Sequence, residues 1–318
     1  MPPFTLPFEK PVQELEKKLH ELEVFSKEQD LDVSHEIDRM KEKIEATRVQ
    51  IYRNLTSWQK VQVARHPERP YTLDYIKNMT TDFVEIHGDR IHKDDRALIG
   101  GFAKIDGQKV MLIGSQKGRD TKSNLECNFG CAYPEGYRKA LRLMRLADKF
   151  NVPIITFIDT PGAFPGLESE ERHVAEAIAV NLREMFNIRV PIVVTIIGEG
   201  GSGGAIGIGV GDRILMLEHA YYSVISPEGC AAILFKDRAF ADKSAEALNI
   251  TAQHLIKNKL ADEIVPEPEG GAHMDHVAMA KTLREALLRN LAELKEIPEE
   301  ELLNARYDKF RAMGVFKE

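Results

Sequence analysis

A run of apolar residues that ends in glycines constrains the fold more than any other feature of this sequence. Residues 190–197 read Val-Pro-Ile-Val-Val-Thr-Ile-Ile, and residues 198–204 contain five glycines in seven positions. An apolar run without alternation is typical of a strand buried on both faces. Glycine permits positive φ and lets a ligand approach bare peptide N–H groups. We therefore expect a buried strand, a tight glycine turn with positive φ, and a helix beginning in residues 205–210.

This glycine-rich turn, residues 198–205, is the first candidate for a functional site. Backbone N–H groups in such a turn bind anions, and they form an oxyanion hole when the charge appears only in a transition state. The dipole of the following helix adds to the same field. The structural alternative is a crossing that needs small residues for packing, which explains one glycine more readily than five.

Composition argues against several classes of protein. The chain has 318 residues and a net charge of −7, with 43 Lys and Arg against 50 Asp and Glu, so there is no overall electrostatic case for nucleic-acid or membrane binding. No apolar run approaches the roughly 20 residues that a membrane span needs, and no signal peptide is evident. We expect a cytoplasmic protein. Cys127 and Cys131 have C-x3-C spacing without a second pair, which predicts reduced thiols and no metal site.

The chain is predicted to have three parts. Residues 1–64 show helical spacing of apolar residues on either side of a polar break at residues 26–34, which predicts a helical hairpin. It would pack on the body, or on a partner, or remain solvated. Two prolines in residues 66–70 exclude a continuing helix. A body of residues 65–272 follows, and a polar helical segment, residues 273–318, ends the chain.

Strands alternate with helices in the body, which predicts an α/β fold. Asp106-Gly107 between two apolar runs is typical of a β-hairpin. Pairs of strands followed by one helix recur, which fits a stack of ββα turns. Beyond the hairpin, strands are expected at residues 152–158, 190–197, 213–217, 222–225 and 261–265, and helices at residues 73–86, 134–150, 168–186, 227–235, 251–260 and 274–294.

Two other functions fit parts of the pattern. Ser202 satisfies the G-x-S-x-G pattern of a serine-hydrolase elbow. A hydrolase also needs a histidine and an acid, and several are available without one being singled out, namely His219, His254, His273 and His276 with Asp237 or Asp262. Residues 159–162 and 258–262 look like GTPase motifs, but no G-x-x-x-x-G-K-[ST] phosphate loop precedes them. A scaffold without catalysis is the third alternative.

Two turns together carry a more specific interpretation. Residues 159–166 and residues 198–205 each follow a buried strand, so adjacent parallel strands would bring them to one edge of a sheet. With segments throughout the rest of the chain, they closely resemble the carboxyltransferase alpha subunits of bacterial acetyl-CoA carboxylases. These further segments are residues 65–72, 116–119, 134–141, 222–230 and 264–273. The sequence departs from that family at His173-Val174, where the family has Gly-Gln.

The resemblance implies a crotonase-like ββα superhelix with an N-terminal helical hairpin and C-terminal helices. It also implies an α2β2 carboxyltransferase in which a beta subunit carries a zinc ribbon and most of the acyl-CoA site, with the active site between the two subunits. The carboxyl group would come from carboxybiotin on the biotin carboxyl carrier protein, which an ATP-using biotin carboxylase charges. Acetyl-CoA would accept it and give malonyl-CoA for fatty acid biosynthesis.

The family's oxyanion hole falls on Gly203 and Gly204, whose amides would stabilise charge on the ureido oxygen of biotin. The freed biotin nitrogen would then serve as the base toward acetyl-CoA, so no protein nucleophile is needed. The carboxybiotin pocket and its support fall on Asp159, Thr160, Pro161, Gly162, Gly198, Glu199, Gly200, Gly201 and Ser202. A basic loop of Lys117, Arg119 and Lys122 is a candidate contact for CoA phosphates or for an acidic partner, with a solvated loop as the alternative.

Overall fold

An eight-stranded sheet forms the centre of the protein. The computed structural model describes residues 4–29 and 32–314. The strands are β1 Thr81–Glu85, β2 Leu98–Ile105, β3 Gln108–Ser115, β4 Ile154–Thr160, β5 Ile192–Gly201, β6 Arg213–Leu217, β7 Tyr221–Ser223 and β8 Glu263–Val265. They lie in the order β1-β2-β3-β4-β5-β6-β8, and β7 pairs with β5 off this path. The pairs β1–β2 and β2–β3 are antiparallel, and the later pairs are parallel.

Strand β5 is the central element of this sheet. Its residues are all buried, as its uninterrupted apolar sequence requires. Residues 193–196 pair with β6, whereas residues 199–201 pair with β7. Because one strand has a different neighbour in each half, the sheet divides directly at the candidate glycines.

Helices cover this sheet and extend the chain at both ends. They are α1 Lys10–Gln29, α2 Ser34–Arg53, α3 Ser57–Ala64, α4 Thr72–Met79, α5 Thr121–Glu126, α6 Pro134–Lys149, α7 Leu167–Glu171, α8 Val174–Met185, α9 Ser202–Ile206, α10 Pro227–Leu234, α11 Ala241–Leu248, α12 Ala252–Lys257, α13 His276–Lys295 and α14 Glu299–Arg311. Helix α6 packs on β2, β3 and α8, while α13 packs on α4 and β5.

The predicted helical hairpin is present as α1 and α2, which contact each other. It is held to the body by a small cluster of Leu6, Tyr52 and Val63, and the Tyr52 hydroxyl donates to Glu9 at 2.7 Å. Helix α3 belongs to the body instead, because it packs on β5 and α11. Parts of the predicted N-terminal and C-terminal segments, residues 1–3, 30–31 and 315–318, lie outside the described residues.

Several predicted elements are confirmed. The hairpin at Asp106-Gly107 joins β2 to β3, α6 begins at Pro134, and α10 begins at Pro227. Strand β4 lies beside β5 in parallel, with Thr160 opposite Gly200, so the two turns do reach one edge. Among the described residues, no helix is both long enough and apolar enough to cross a bilayer.

Three predicted helices are wrong in extent or character. The helix expected at residues 73–86 ends at Met79, because residues 81–85 extend to pair with β2. The helix expected at residues 168–186 is divided into α7 and α8 by His173, whose φ is 64°. The C-terminal helix expected to be polar is α13, which buries Met279, Leu283, Leu287 and Leu291 in the main core.

The glycine segment also differs from its prediction. Residues 198–201 are extended and belong to β5, and the next helix begins at Ser202 and ends at Ile206. Of residues 198–204 only Ser202 has a positive φ, at 50°. Four of the five glycines are therefore needed for close approach of other atoms, as described below, and none of the five for a left-handed backbone.

His173 provides a stability test. A left-handed conformation costs an L residue more than it costs glycine, and His173 is exposed. We expect His173→Gly to raise the free energy of unfolding by about 0.5–1 kcal/mol, measured by urea denaturation. His173→Ala keeps a Cβ and is the control, for which we expect no gain. A glycine variant less stable than the wild type would contradict this explanation of the break.

Candidate active site

The candidate site lies where β4 and β5 end side by side. A Cβ built at Gly201 would lie 2.3 Å from the carbonyl oxygen of Pro161, and one at Gly204 would lie 2.4 Å from the carbonyl carbon of Gly162. Both distances are too short for any side chain. The segment after β4 therefore packs directly on the backbone that follows β5, and the sequence secures that contact with glycine at both positions.

Gly203 differs from the glycines around it. A Cβ there would meet only the side chain of Ile178, at 3.5 Å, which is ordinary van der Waals contact. At Gly198 a Cβ would meet the Asp159 carboxylate at 2.6 Å, and at Gly200 it would meet the Tyr222 ring at 2.8 Å. Packing within the chain explains Gly198, Gly200, Gly201 and Gly204, but it does not explain Gly203. A side chain at position 203 would have room, so this glycine is the candidate for close approach of a ligand to the peptide groups.

The peptide N–H groups at the start of α9 are the candidate donors. The first N–H groups of a helix have no acceptor within the helix, and the N-cap residue Gly201 provides no side-chain acceptor. The first helical residue, Ser202, has a positive φ, a strained conformation that is often found at functional sites. Because α9 has only five residues, its dipole is small, and the N–H groups themselves would supply the stabilisation of an anion.

A cavity of about 360 Å³ adjoins these donors. Ser202 and Gly203 line it, and the rest of its lining is largely apolar, including Ile206, Tyr222 and Phe310. A larger cavity of about 840 Å³ lies at the other end of β4 and β5, where Val152 and Pro191 line it. We place the site at the smaller cavity because it adjoins the glycines.

Lys117 belongs to a network of buried charges that joins β4 to β5. Its Nζ donates to the carboxylates of Asp159 and Glu199, both at 2.7 Å, and its side chain is 12% exposed. The Asp159 carboxylate also accepts the backbone N–H of Glu199 at 2.9 Å. This network therefore fixes β4 against β5 near the end of β5, from which α9 continues.

Glu199 is the centre of the same network. It accepts hydrogen bonds from Arg65 at 2.6 Å and from the Tyr221 hydroxyl at 2.7 Å. Burial by itself would raise the pKa of Glu199, but Lys117 and Arg65 outweigh it and lower the pKa to about 2. Burial would lower the pKa of Lys117, yet the two carboxylates raise it above its ordinary value. Glu199 is thus a structural anion at neutral pH and not a general base.

The predicted basic loop does not act as a unit. Lys117 is part of the buried network, and Lys122 is exposed on α5. Arg119 pairs with Asp74 and lies over the ring of Tyr71, 4.0 Å from its centroid. Sequence reasoning missed the participation of Tyr221, as well as that of Arg65, although Arg65 lies in a segment that carries the family resemblance.

The hydrolase alternative has no support in this geometry. Within residues 4–29 and 32–314, none of the four candidate histidines has a hydrogen bond to Ser202. His254 bonds Thr251, His276 bonds the Glu68 carbonyl oxygen, His273 stacks on the ring of His66, and His219 packs on the ring of Tyr52. Asp262 pairs with Lys309. A nucleophile and base pair is therefore not assembled around Ser202.

Comparison with known proteins agrees with the fold and identifies the family. The sequence model of the family described as acetyl co-enzyme A carboxylase carboxyltransferase-like matches residues 5–314. The chain is 58% identical to the acetyl-coenzyme A carboxylase carboxyl transferase subunit alpha of Chlorobium luteolum, covering 99% of this chain and 98% of that one. It is 56% identical to the protein of the same name from Geobacter metallireducens, covering 99% of each.

Solved structures with lower identity share the fold. Transcarboxylase 12S superposes with a TM-score of 0.55 at 19% identity, over 68% of this chain and 41% of that one. A Pseudomonas malonate decarboxylase hetero-tetramer in complex with coenzyme A superposes with a TM-score of 0.56 at 16% identity, over 67% and 85%. These likenesses confirm the crotonase-like α/β fold. With its near full-length match to the family model, the chain belongs to the acetyl-CoA carboxylase carboxyltransferase family, a family of enzymes.

Proposed function

We propose that this chain is the alpha subunit of a carboxyltransferase that moves a carboxyl group from carboxybiotin to acetyl-CoA and produces malonyl-CoA for fatty acid biosynthesis. Membership of the family and the names of its close relatives support this function. The structural observation that carries it is the open space over Gly203, beside the backbone N–H groups that begin α9. An anion stabilised there needs no protein nucleophile, in agreement with the isolated position of Ser202.

The residues present fit a biotin group. Carboxybiotin supplies an activated carboxyl group and a ureido oxygen that becomes negatively charged in the transfer. The N–H groups of Gly203 and Gly204 would donate to that oxygen, and such a donor is typically worth a few kcal/mol in the transition state. Lys117, Asp159 and Glu199 would hold the two strands rigid, so that the donors need no reorganisation when the charge appears.

A partner subunit would complete the site. Exposed apolar side chains, here called the α10 surface, occur directly after the strand that pairs with the glycines and at the end of α10: Val224 is 79% exposed, Ile233 63% and Leu234 66%. Contiguous exposed apolar residues mark interfaces. We place the beta subunit on this α10 surface, within an α2β2 assembly in the cytoplasm. The biotin carboxyl carrier protein and the biotin carboxylase would join it in a larger complex, and any zinc would belong to the beta subunit.

Reconstitution tests this function. The chain purified alone is expected to form no malonyl-CoA from acetyl-CoA and carboxybiotin, because it holds only part of the site. Mixing with the beta subunit should restore activity in a complex that contains two copies of each chain, measured by size-exclusion chromatography with light scattering. Comparable activity of the isolated chain would contradict a shared site.

The α10 surface is tested in the same assay. Leu234→Asp places a charge in the surface, so it should prevent assembly and activity together. Val277→Asp is the control, because Val277 is 67% exposed on α13 and outside that surface. Normal assembly of the Leu234 variant would place the beta subunit elsewhere.

A further inference from the structure

The last turn of α14 and the residues directly after it line the cavity beside Gly203. We propose that Phe310 and Met313 form a binding wall for the bicyclic ring and aliphatic chain of biotin, and thereby determine the affinity of the enzyme for the biotin substrate. This inference rests on the proposed function. It assigns a ligand-binding role to a helix that none of the recognised motifs includes.

Segments that are far apart in sequence line the cavity together. Ser202, Gly203 and Ile206 come from α9, and Phe310 and Met313 come from the last turn of α14 and the residues after it. Ile206 is 39% exposed, although it is a large apolar residue at the end of α9. The volume of the cavity, about 360 Å³, lies within the range of small-molecule sites. Such sites are commonly lined by apolar side chains and a few polar groups.

The lining also identifies the part of the substrate that fits. In the part of the chain that the structure describes, no charged side chain lines the cavity, so it offers no partner for the phosphates of CoA. Biotin attached to lysine has the polar ureido group at one end and an amide at the other, with an apolar thioether ring and aliphatic chain between them. With the ureido oxygen at Gly203 and Gly204, the apolar part would lie against Phe310 and Met313.

Arg306 anchors the helix that carries this wall. Its guanidinium is completely buried, and all five of its N–H donors have acceptors. Two donate to the Asp212 carboxylate at 2.8 Å each, and three donate to the carbonyl oxygens of Met185 at 2.8 Å, Ile188 at 2.6 Å and Val190 at 3.1 Å. Such a set fixes both the axial position and the rotation of α14.

The next turn is held as well. Lys309 pairs with Asp262, and the Phe310 ring packs edge-on to Phe186, with the centroids 5.4 Å apart and the planes at 86°. Phe310 is therefore held in position by its neighbours before a ligand arrives. A preorganised wall improves affinity because no side-chain freedom is lost on binding.

The experiment uses the reconstituted complex and transfer from malonyl-CoA to biocytin, a soluble biotin substrate. Phe310→Ala and Met313→Ala should each raise the KM for biocytin, by about tenfold for Phe310, with less than a twofold change in the KM for malonyl-CoA. Phe310→Leu keeps an apolar side chain and should recover most of the affinity. Tyr307→Ala is the matched control, because Tyr307 also packs on Phe186, one turn earlier on α14, but does not line the cavity.

Calorimetric titration of biocytin into the complex gives a second measurement that does not depend on turnover. We expect weaker binding for Phe310→Ala and unchanged binding for Tyr307→Ala. Unchanged biocytin affinity in the Phe310 and Met313 variants, or a raised KM for malonyl-CoA instead, would overturn the inference. A wild-type complex without any transfer activity would instead contradict the proposed function, so the two failures are distinguishable.

Discussion

Gly204→Val is expected to lower the turnover of the assembled enzyme by about 100-fold or more, the usual effect of losing an oxyanion donor. The reason is steric. A Cβ at position 204 would lie 2.4 Å from the carbonyl carbon of Gly162 and 2.6 Å from the nitrogen of Ala163. Because both atoms belong to backbone, the two segments must separate, and the N–H groups of α9 then move away from the position of the ureido oxygen. The measurement is kcat for malonyl-CoA formation in a complex of confirmed composition.

Ser202→Ala is the matched control for this substitution. Its side chain is exposed, and the proposed function gives the hydroxyl no chemical role, so most of the activity should remain. Normal turnover by an assembled Gly204→Val enzyme would show that these glycines are not the oxyanion hole. Loss of activity in a folded Ser202→Ala enzyme, or labelling of Ser202 by a fluorophosphonate, would return the hydrolase to consideration.

Lys117→Met is expected to destabilise the isolated chain by about 3–5 kcal/mol, because it removes one partner from a buried ionic network. In the wild type the pKa of Glu199 is lowered to about 2. The depressed pKa contributes stability that is present above the ordinary pKa of the carboxyl group, near 4.5, and is lost as the pH falls toward 2. Without Lys117 that pKa rises, so the contribution decreases even at neutral pH. Urea denaturation between pH 4 and pH 8 measures the change.

A double variant separates loss of the network from a general packing defect. Lys117→Met with Glu199→Gln removes one cation and one anion, so we expect it to lose less stability than the sum of the two single variants. Lys122→Met, on the exposed face of α5, should change the free energy of unfolding by less than about 0.5 kcal/mol. Additive effects at Lys117 and Glu199, or equal effects at Lys117 and Lys122, would contradict the network.

Local patterns in the sequence identified the parts of the fold that local forces determine. The turn at Asp106-Gly107 and the helix that begins at Pro134 depend on turn and helix chemistry within a few residues. The shared edge of β4 and β5 followed from the rule that successive parallel strands lie together. The site residues Gly203 and Gly204 came from the family resemblance, and their catalytic role remains a prediction.

Tertiary contacts explain what local patterns missed. From the sequence alone, Lys117 is interpreted as part of a basic loop. Its partners Asp159 and Glu199 are 42 and 82 residues away in the sequence, so no local pattern indicates that the three side chains meet. The helix expected at residues 73–86 ends early because residues 81–85 pair with β2. The spacing of apolar residues does not indicate this pairing. Glycine permits both a positive φ and a close approach of other atoms. At Gly201 and Gly204, the contact with the backbone of residues 161–163 shows that close approach is the reason, and this contact is not visible in the sequence.

The apolar sequence of β5 has a consequence for aggregation during folding. Residues 192–197, Ile-Val-Val-Thr-Ile-Ile, combine high β propensity with no charge, a composition that promotes intermolecular strand pairing. In the native sheet, β4 and β6 pair with the two edges of this segment. Parallel strands can pair only after the long connections between them have closed, and this step is slow. Arg189 and Pro191 precede the segment and Glu199 follows it, as gatekeeper residues do around unavoidable apolar strands. Glu199 thus has two consequences: as a charge it opposes intermolecular strand pairing while the chain is still open, and in the folded chain it joins β5 to β4 through Lys117 and Asp159.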